Sequence, residues 1–214
     1  YNLDSNYDNC LEAEFFNDSA EMAVITRTDG VRLYSYALIL SAASGKLAMV
    51  KLPHWEELRA HVRNNKIAFK KEGEIITAKK DGSDVKKILS SDSLPRIEGA
   101  LDYPALSPDG KCLVFTSRLD LYIGSFFELE SSGNPYAYDH IYIYDIEDMD
   151  LERISLGSLE GLEIERPVYN SNGDNLIFSA KTEGGKWQIY TYDCVSSVTA
   201  QLFDTDENVR FPYY

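Results

Sequence analysis

The stretch YPALSPDGKCLVFTS, residues 103–117, returns as RPVYNSNGDNLIFSA at 166–180, and the last five residues, RFPYY, repeat its opening. A chain that restates itself at a regular interval is constrained first by that repetition. Each copy is one supersecondary unit that cannot bury its apolar faces alone, so the copies must stack. Aligned on the residue before the turn, Leu106 precedes Ser107-Pro108-Asp109-Gly110 and Tyr169 precedes Asn170-Ser171-Asn172-Gly173, and an aromatic follows in each second segment, Phe115 and Phe178. The same frame fits Phe16 before Asn17-Asp18-Ser19-Ala20 and, more faintly, Val62 before Arg63-Asn64-Asn65. The anchors 16, 62, 106, 169 and 214 are separated by 46, 44, 63 and 45 residues. The long interval has a local cause. From Phe115 to IYIYD (141–145) the chain takes 26 residues, and from Phe178 to the matching IYTYD (189–193) it takes 11, so 15 residues are inserted in the third copy.

Each unit reads as four short strands: YPAL or RPVY, then KCLVFTS or NLIFSA, then HIYIYD or WQIYTYD, then ERISL or AQLF. Strands this short and apolar on both faces need neighbours above and below. Radial repetition of four-stranded sheets supplies them, with a period of roughly 40 to 50 residues. The expected fold is all-β, a β-propeller of four-stranded antiparallel blades. It is one domain or fragment over 1–214, with blades at about 12–52, 58–90, 103–156 and 166–203 and the first strand of a fifth at 210–214. Such a chain is expected to be a piece of a larger propeller; a closed four-bladed ring is the alternative. In the turns, Pro108 presets φ, Asp109 bonds nearby backbone, and Gly110 and Gly173 take the positive φ that closes the hairpin. Helix is expected only within PHWEELRAHV, residues 53–62.

Ser107-Pro108-Asp109-Gly110-Lys111 followed by Cys112-Leu113-Val114-Phe115, then Ile141-Tyr142-Ile143-Tyr144-Asp145, resembles the repeat of TolB-type propellers, also found in the propeller domains of prolyl-oligopeptidase-like peptidases. The match is good over 103–203 and thinner over 12–89. The resemblance implies a six- or seven-bladed propeller in most relatives and a periplasmic or otherwise extracytoplasmic protein. It also implies a non-catalytic scaffold that binds a protein partner, or a small ligand at its channel mouth. The alternative is the gating or substrate-binding portion of a larger hydrolase, such as a prolyl-oligopeptidase-like peptidase or a carbohydrate-active enzyme. The peptidases' triad lies in a separate domain, so no catalytic residue carries over.

Charge narrows the partners. The 21 Lys and Arg against 35 Asp and Glu leave a net charge of −14, which repels phosphate backbones and anionic lipid surfaces. Nucleic acid is not expected as a partner, and no apolar run approaches the roughly 18 residues that span a bilayer. The chain starts at Tyr1 with no signal-type segment, as a mature or excised chain would. Cys10, Cys112 and Cys194 are too far apart in sequence for a metal knuckle. Cys112 is expected to be buried in a central strand, facing the next blade and staying reduced.

Nucleophilic catalysis needs a Ser or Cys, a base and an orienting group. There is no GxSxG elbow, and His54, His61 and His140 sit in no catalytic signature, so no catalytic residue and no cofactor is assigned. A calcium-loop fragment, Asp204, Asp206 and Asn208, fits the first three ligand positions, but Val209 stands where such a loop turns on Gly. An acidic inter-blade loop is the simpler reading. The carboxylates Asp145, Glu147, Asp148 and Asp150 read as a solvated turn. The insertion DLYIGSFFELESSGNPYAYD, 120–139, carries Tyr122, Phe126, Phe127, Tyr136 and Tyr138. Aromatic side chains on a loop are suited to a protein contact; the other reading is that they pack the loop onto its own blade.

Overall fold

A computed structural model of the chain describes residues 9–15, 21–27, 35–41, 47–52, 60–63, 66–71, 73–79, 81–93, 101–119, 138–203 and 207–209. Among them are sixteen strands: β1 (Asn9–Phe15), β2 (Glu21–Arg27), β3 (Ser35–Ser41), β4 (Leu47–Leu52), β5 (Ala60–Arg63), β6 (Lys66–Lys71), β7 (Glu74–Lys79), β8 (Lys86–Ser90), β9 (Leu101–Leu106), β10 (Cys112–Leu119), β11 (Tyr138–Asp145), β12 (Leu151–Arg153), β13 (Glu163–Tyr169), β14 (Asn175–Lys181), β15 (Trp187–Asp193) and β16 (Val198–Gln201). They form four antiparallel four-stranded sheets, each a meander in chain order, β1–β4, β5–β8, β9–β12 and β13–β16. The first strand of one sheet lies against the first strand of the next, β1 on β5, β5 on β9 and β9 on β13. These strands therefore gather around a common axis. No comparable contact joins β13 back to β1.

The turns form for the reasons the residues suggest. Gly110 and Gly173 have φ of 72° and 83°, and Asp109 Oδ1 accepts hydrogen bonds from Ser107 Oγ (2.6 Å) and Lys111 N (3.0 Å). A Cβ at Gly173 would lie 3.1 Å from Pro108 Cδ, so the turns of the third and fourth sheets touch at one rim. Arg63 ties the second sheet to the same rim. Its Nη1 and Nη2 donate to the carbonyls of Tyr169 (3.0 Å) and Asn170 (3.3 Å).

Among the described residues, two cores fill spaces between sheets. One joins Ala68, Ile75 and Leu89 to Leu101, Leu106, Leu113 and Phe115; the other joins Val114, Ile141 and Ile154 to Ile164, Leu176 and Phe178. The recurring aromatics are the repeating unit of this packing. Phe115 pairs across the ladder with Tyr142 and stacks on it at 5.6 Å, and Phe178 does the same with Tyr190 at 6.0 Å. Both phenylalanines are fully buried.

Three expectations need correction. The described end of 53–62 is strand β5, because Ala60–Arg63 pairs residue for residue with β6; residues 53–59 lie outside the described residues. Among the described residues helical turns occur at Ser91–Ser93 and Gly157–Leu159. The fourth strands sit earlier than ERISL and AQLF, at Leu151–Arg153 and Val198–Gln201. Ile154 and Leu156, beyond β12, are buried in the core, whereas Leu202 and Phe203 are exposed. Cys112 is half-buried rather than buried, since it opens β10 at the turn rim, although it does pack against the core shared with the fourth sheet.

Candidate functional site

The repeated Xaa-Pro of the first strands is where the ladder breaks. In β9, Asp102 pairs with Thr116 and Ala105 with Val114, so Tyr103 and Pro104 together face Phe115. In β13, Glu165 pairs with Ser179 and Val168 with Ile177, so Arg166 and Pro167 together face Phe178. Two residues against one make a β-bulge, which re-aims a side chain, and proline fits it because no ladder N–H is needed there. Tyr103 and Arg166 have φ of 49° and 52°. That left-handed position in a bulge is one glycine usually fills. A bulky residue there costs about 1 to 2 kcal/mol. A fully buried Phe contributes about 2 kcal/mol, so burial of Phe115 and Phe178 is of a size to offset that strain.

The two strained residues meet. The Arg166 guanidinium carbon lies 5.8 Å from the centre of the Tyr103 ring, bridging the innermost strands of adjacent sheets, and both side chains are partly exposed. Around them, Lys70 Nζ pairs with Asp102 Oδ1 at 3.2 Å in a partly buried bridge from the second sheet to the third. Deeper in the same wall, His61 Nδ1 accepts from Leu106 N at 3.2 Å. Burial, reinforced by the Arg63 charge, pulls its imidazole down to about 3, so it is neutral. The wall thus carries a cation beside an aromatic ring, from the first strands of two adjacent sheets. Such a pair holds a carboxylate or a polar backbone group and performs no bond chemistry by itself.

One cluster has the residue types of a nucleophilic triad. Ser117 lies across the β10–β11 ladder from His140, whose Nδ1 is 3.4 Å from Glu160 Oε2. Ser117 Oγ makes no hydrogen bond, and the residue is 1% exposed. It is neither activated by the imidazole nor open to a substrate, and the cluster is packing. A concavity of about 470 Å³ opens between the 155–159 segment and β15–β16, lined by Ser155, Ser158, Tyr190, Thr199 and Gln201 with no ionisable Lys, Arg, Asp, Glu or His.

Of the sequence candidates, Tyr122, Phe126, Phe127 and Tyr136 lie outside the described residues. Tyr138 opens β11, paired with Leu119. Asp204 and Asp206 also lie outside. Asn208 Oδ1 accepts from Trp187 N at 2.7 Å, so this side chain caps β15. The described residues hold no group of three metal-ligating side chains. Asp145 Oδ1 accepts from the Glu147 and Asp148 amides at 2.8 and 2.9 Å, organising the acidic turn. The bulge pair went unremarked in the sequence, although its signal, a bulky residue before proline at the same place in two units, was visible there.

The sheet order and the gathered first strands are those of a β-propeller. No family model matches the sequence, and no curated protein matches it. Solved structures do. The chain is similar to TolB from Acinetobacter baumannii (TM-score 0.63, 16% identity, over 94% of this chain and 45% of that one). It is similar also to a putative TolB from Agrobacterium tumefaciens (0.61, 15%, 92% and 62%). Acylaminoacyl peptidase from Pyrococcus horikoshii matches over 93% of this chain and 33% of its own, with TM-score 0.58 and 13% identity. The fold is the β-propeller of TolB and of such peptidases. The chain spans 45% and 62% of the two TolB structures.

Proposed function

We propose that this chain is an arc of a larger, TolB-like propeller that binds a protein partner, or a small ligand, at the mouth of its central channel. Non-catalytic scaffolding is its role, and an extracytoplasmic compartment its place. The observation that carries this reading is the pair of strained bulges. Strain of this kind persists where surrounding structure over-determines it and clusters at ligand clamps, and here it places Tyr103 and Arg166 side by side on the innermost strands. The arc reading is supported by the succession of first-strand contacts without a comparable return from β13 to β1. Among the described residues no helix is long and apolar enough to cross a membrane.

The aromatic insertion forms a second contact in this proposal, through Tyr122, Phe126, Phe127, Tyr136 and Tyr138. The test compares capture from native extract by the full-length protein and by Tyr103→Gly, Arg166→Gly and Phe126→Ala/Phe127→Ala variants, with cross-linkers at 103 and 166 to identify what is held. Loss of one captured species in the bulge variants, with unfolding midpoints retained, supports the channel-mouth reading. An unchanged captured set in both bulge variants sinks it.

The second reading, a gating propeller of a larger hydrolase, is favoured by the match to the Pyrococcus peptidase. The full-length gene separates them: a GxSxG elbow in a further domain selects the hydrolase, and a short N-terminal α/β domain selects the TolB-like scaffold.

A further inference from the structure

The first turns of the third and fourth sheets follow one plan with one exchange. Asp109 precedes Gly110 in the third, and Asn172 precedes Gly173 in the fourth, the only Asn-Gly step in the sequence. Asp109 is anchored, its Oδ1 accepting from Ser107 Oγ at 2.6 Å and from Lys111 N at 3.0 Å. Asn172 is exposed, and among the described residues its side chain has one hydrogen bond, a 3.4 Å contact from Ser171 Oγ. The glycine that follows has no Cβ to crowd an approach to its backbone nitrogen. A loosely held side-chain amide, the next backbone nitrogen and solvent water therefore share this turn.

We infer that Asn172 is a site of spontaneous deamidation. The Gly173 nitrogen forms a bond to the Asn172 side-chain carbonyl carbon. The bond from that carbon to Nδ2 breaks, and Nδ2 leaves as ammonia with the proton that Gly173 gives up. Water then opens the cyclic imide. Opening at the side-chain carbonyl leaves aspartate; opening at the main-chain carbonyl leaves isoaspartate, whose backbone is longer by one carbon. Asn170 restrains the first step, because its Oδ1 and its carbonyl accept the Gly173 N–H at 2.8 and 3.3 Å and hold that nitrogen in the turn. The two products differ in effect. Aspartate is what the third sheet already carries at this position. Isoaspartate lengthens a turn whose Tyr169 and Asn170 carbonyls hold Arg63 and whose Gly173 lies against Pro108, so it loosens the rim where the second, third and fourth sheets meet.

Peptide mapping by mass spectrometry of the folded protein, incubated at mildly alkaline pH, tests this, with enzymatic methylation of isoaspartate to tell the two products apart. The amide-to-acid mass gain is expected at Asn172 ahead of every other asparagine in the chain. Asn170→Ala frees the Gly173 nitrogen and is expected to hasten the conversion. Denaturation midpoints then separate the new charge from the longer backbone. Asn172→Asp is expected to match the fresh parent, and the isoaspartate fraction of the aged protein to fall below both. An Asn172 that stays intact while other asparagines convert overturns the inference. Conversion no faster in Asn170→Ala overturns the restraint on the Gly173 nitrogen, and an isoaspartate fraction as stable as the fresh parent overturns the loosened rim.

Discussion

Arg166 and Tyr103 hold the same place in consecutive repeats, the first residue of a bulge with positive φ, and they touch, guanidinium over ring at 5.8 Å. Their shared conformation leads to an unusual ordering of variants. In an ordinary strand, Gly is worse than Ala by roughly 0.5 to 1 kcal/mol. At a left-handed φ the order inverts, because Ala keeps the Cβ strain and Gly does not. Arg166→Gly is expected to be more stable than Arg166→Ala by about 1 kcal/mol, read from chemical denaturation midpoints. The ordinary order, Ala above Gly, would show that β13 carries no bulge strain.

Ser117 and Ala180 also occupy one repeat position, two residues after the buried phenylalanine. Ala180 is fully buried, and Ser117 buries a hydroxyl with no hydrogen-bond partner. Leaving such a group unmet costs about 1 to 3 kcal/mol, whereas an apolar replacement of similar shape is neutral or better. Ser117→Ala is expected to raise stability by about 1 kcal/mol. A loss of stability of that size would mean that the hydroxyl has a partner in the folded protein.

The architecture was legible because its signals are local. Gly110 and Gly173 announce their turns, and the spacing from Phe115 to IYIYD and from Phe178 to IYTYD announces which strands pair. What escaped was the part made by neighbours. Xaa-Pro alone reads as extended backbone, and nothing local tells that Phe115 and Phe178 each fill the space opposite two residues. Arg63 reads as a turn residue until the fourth sheet brings the Tyr169 and Asn170 carbonyls to it. Asn208 resembled a ligand because a side-chain carbonyl suits a cation and a strand-capping amide equally.

Cys112 and Cys194 pack against the same core, Cys112 from the turn rim of the third sheet and Cys194 beyond the end of β15. Burial, and then the Asp193 charge, pushes the Cys194 thiol up to about 11; burial followed by Asp145 raises Cys112. Thiolate is the reactive form, so two units above the ordinary value of 9.0 slow Cys194 by about 100-fold at neutral pH. In a Cys10→Ser background, both thiols are expected to exchange slowly with a disulfide reagent and to react promptly once denatured. Prompt reaction of Cys194 in the folded protein would place it outside the core.

His61 makes the fold sensitive to mild acid. Its imidazole accepts the Leu106 amide between the second and third sheets, and its pKa falls from 6.5 to about 3. Between these values the unfolded chain binds a proton that the folded chain refuses, so stability rises with pH across this window. Its contribution is whole above about pH 6.5 and declines as pH falls, by up to about 1.4 kcal/mol per pH unit. The carboxylates of Asp81, Asp109, Asp174 and Asp193, held below their usual value by hydrogen bonds, act at a different point. Their contribution is present above their ordinary value of 3.8 and is lost only below it. Between about pH 6 and pH 4 His61 therefore contributes a slope that these four carboxylates do not. His61→Asn keeps a side-chain acceptor in the wall but carries no titrating proton. Denaturation midpoints measured from pH 7 to pH 4 are expected to fall more steeply for the parent than for His61→Asn. Parallel curves for the two would show that the imidazole takes up its proton as readily in the folded chain as in the unfolded one, against its burial behind the Leu106 hydrogen bond.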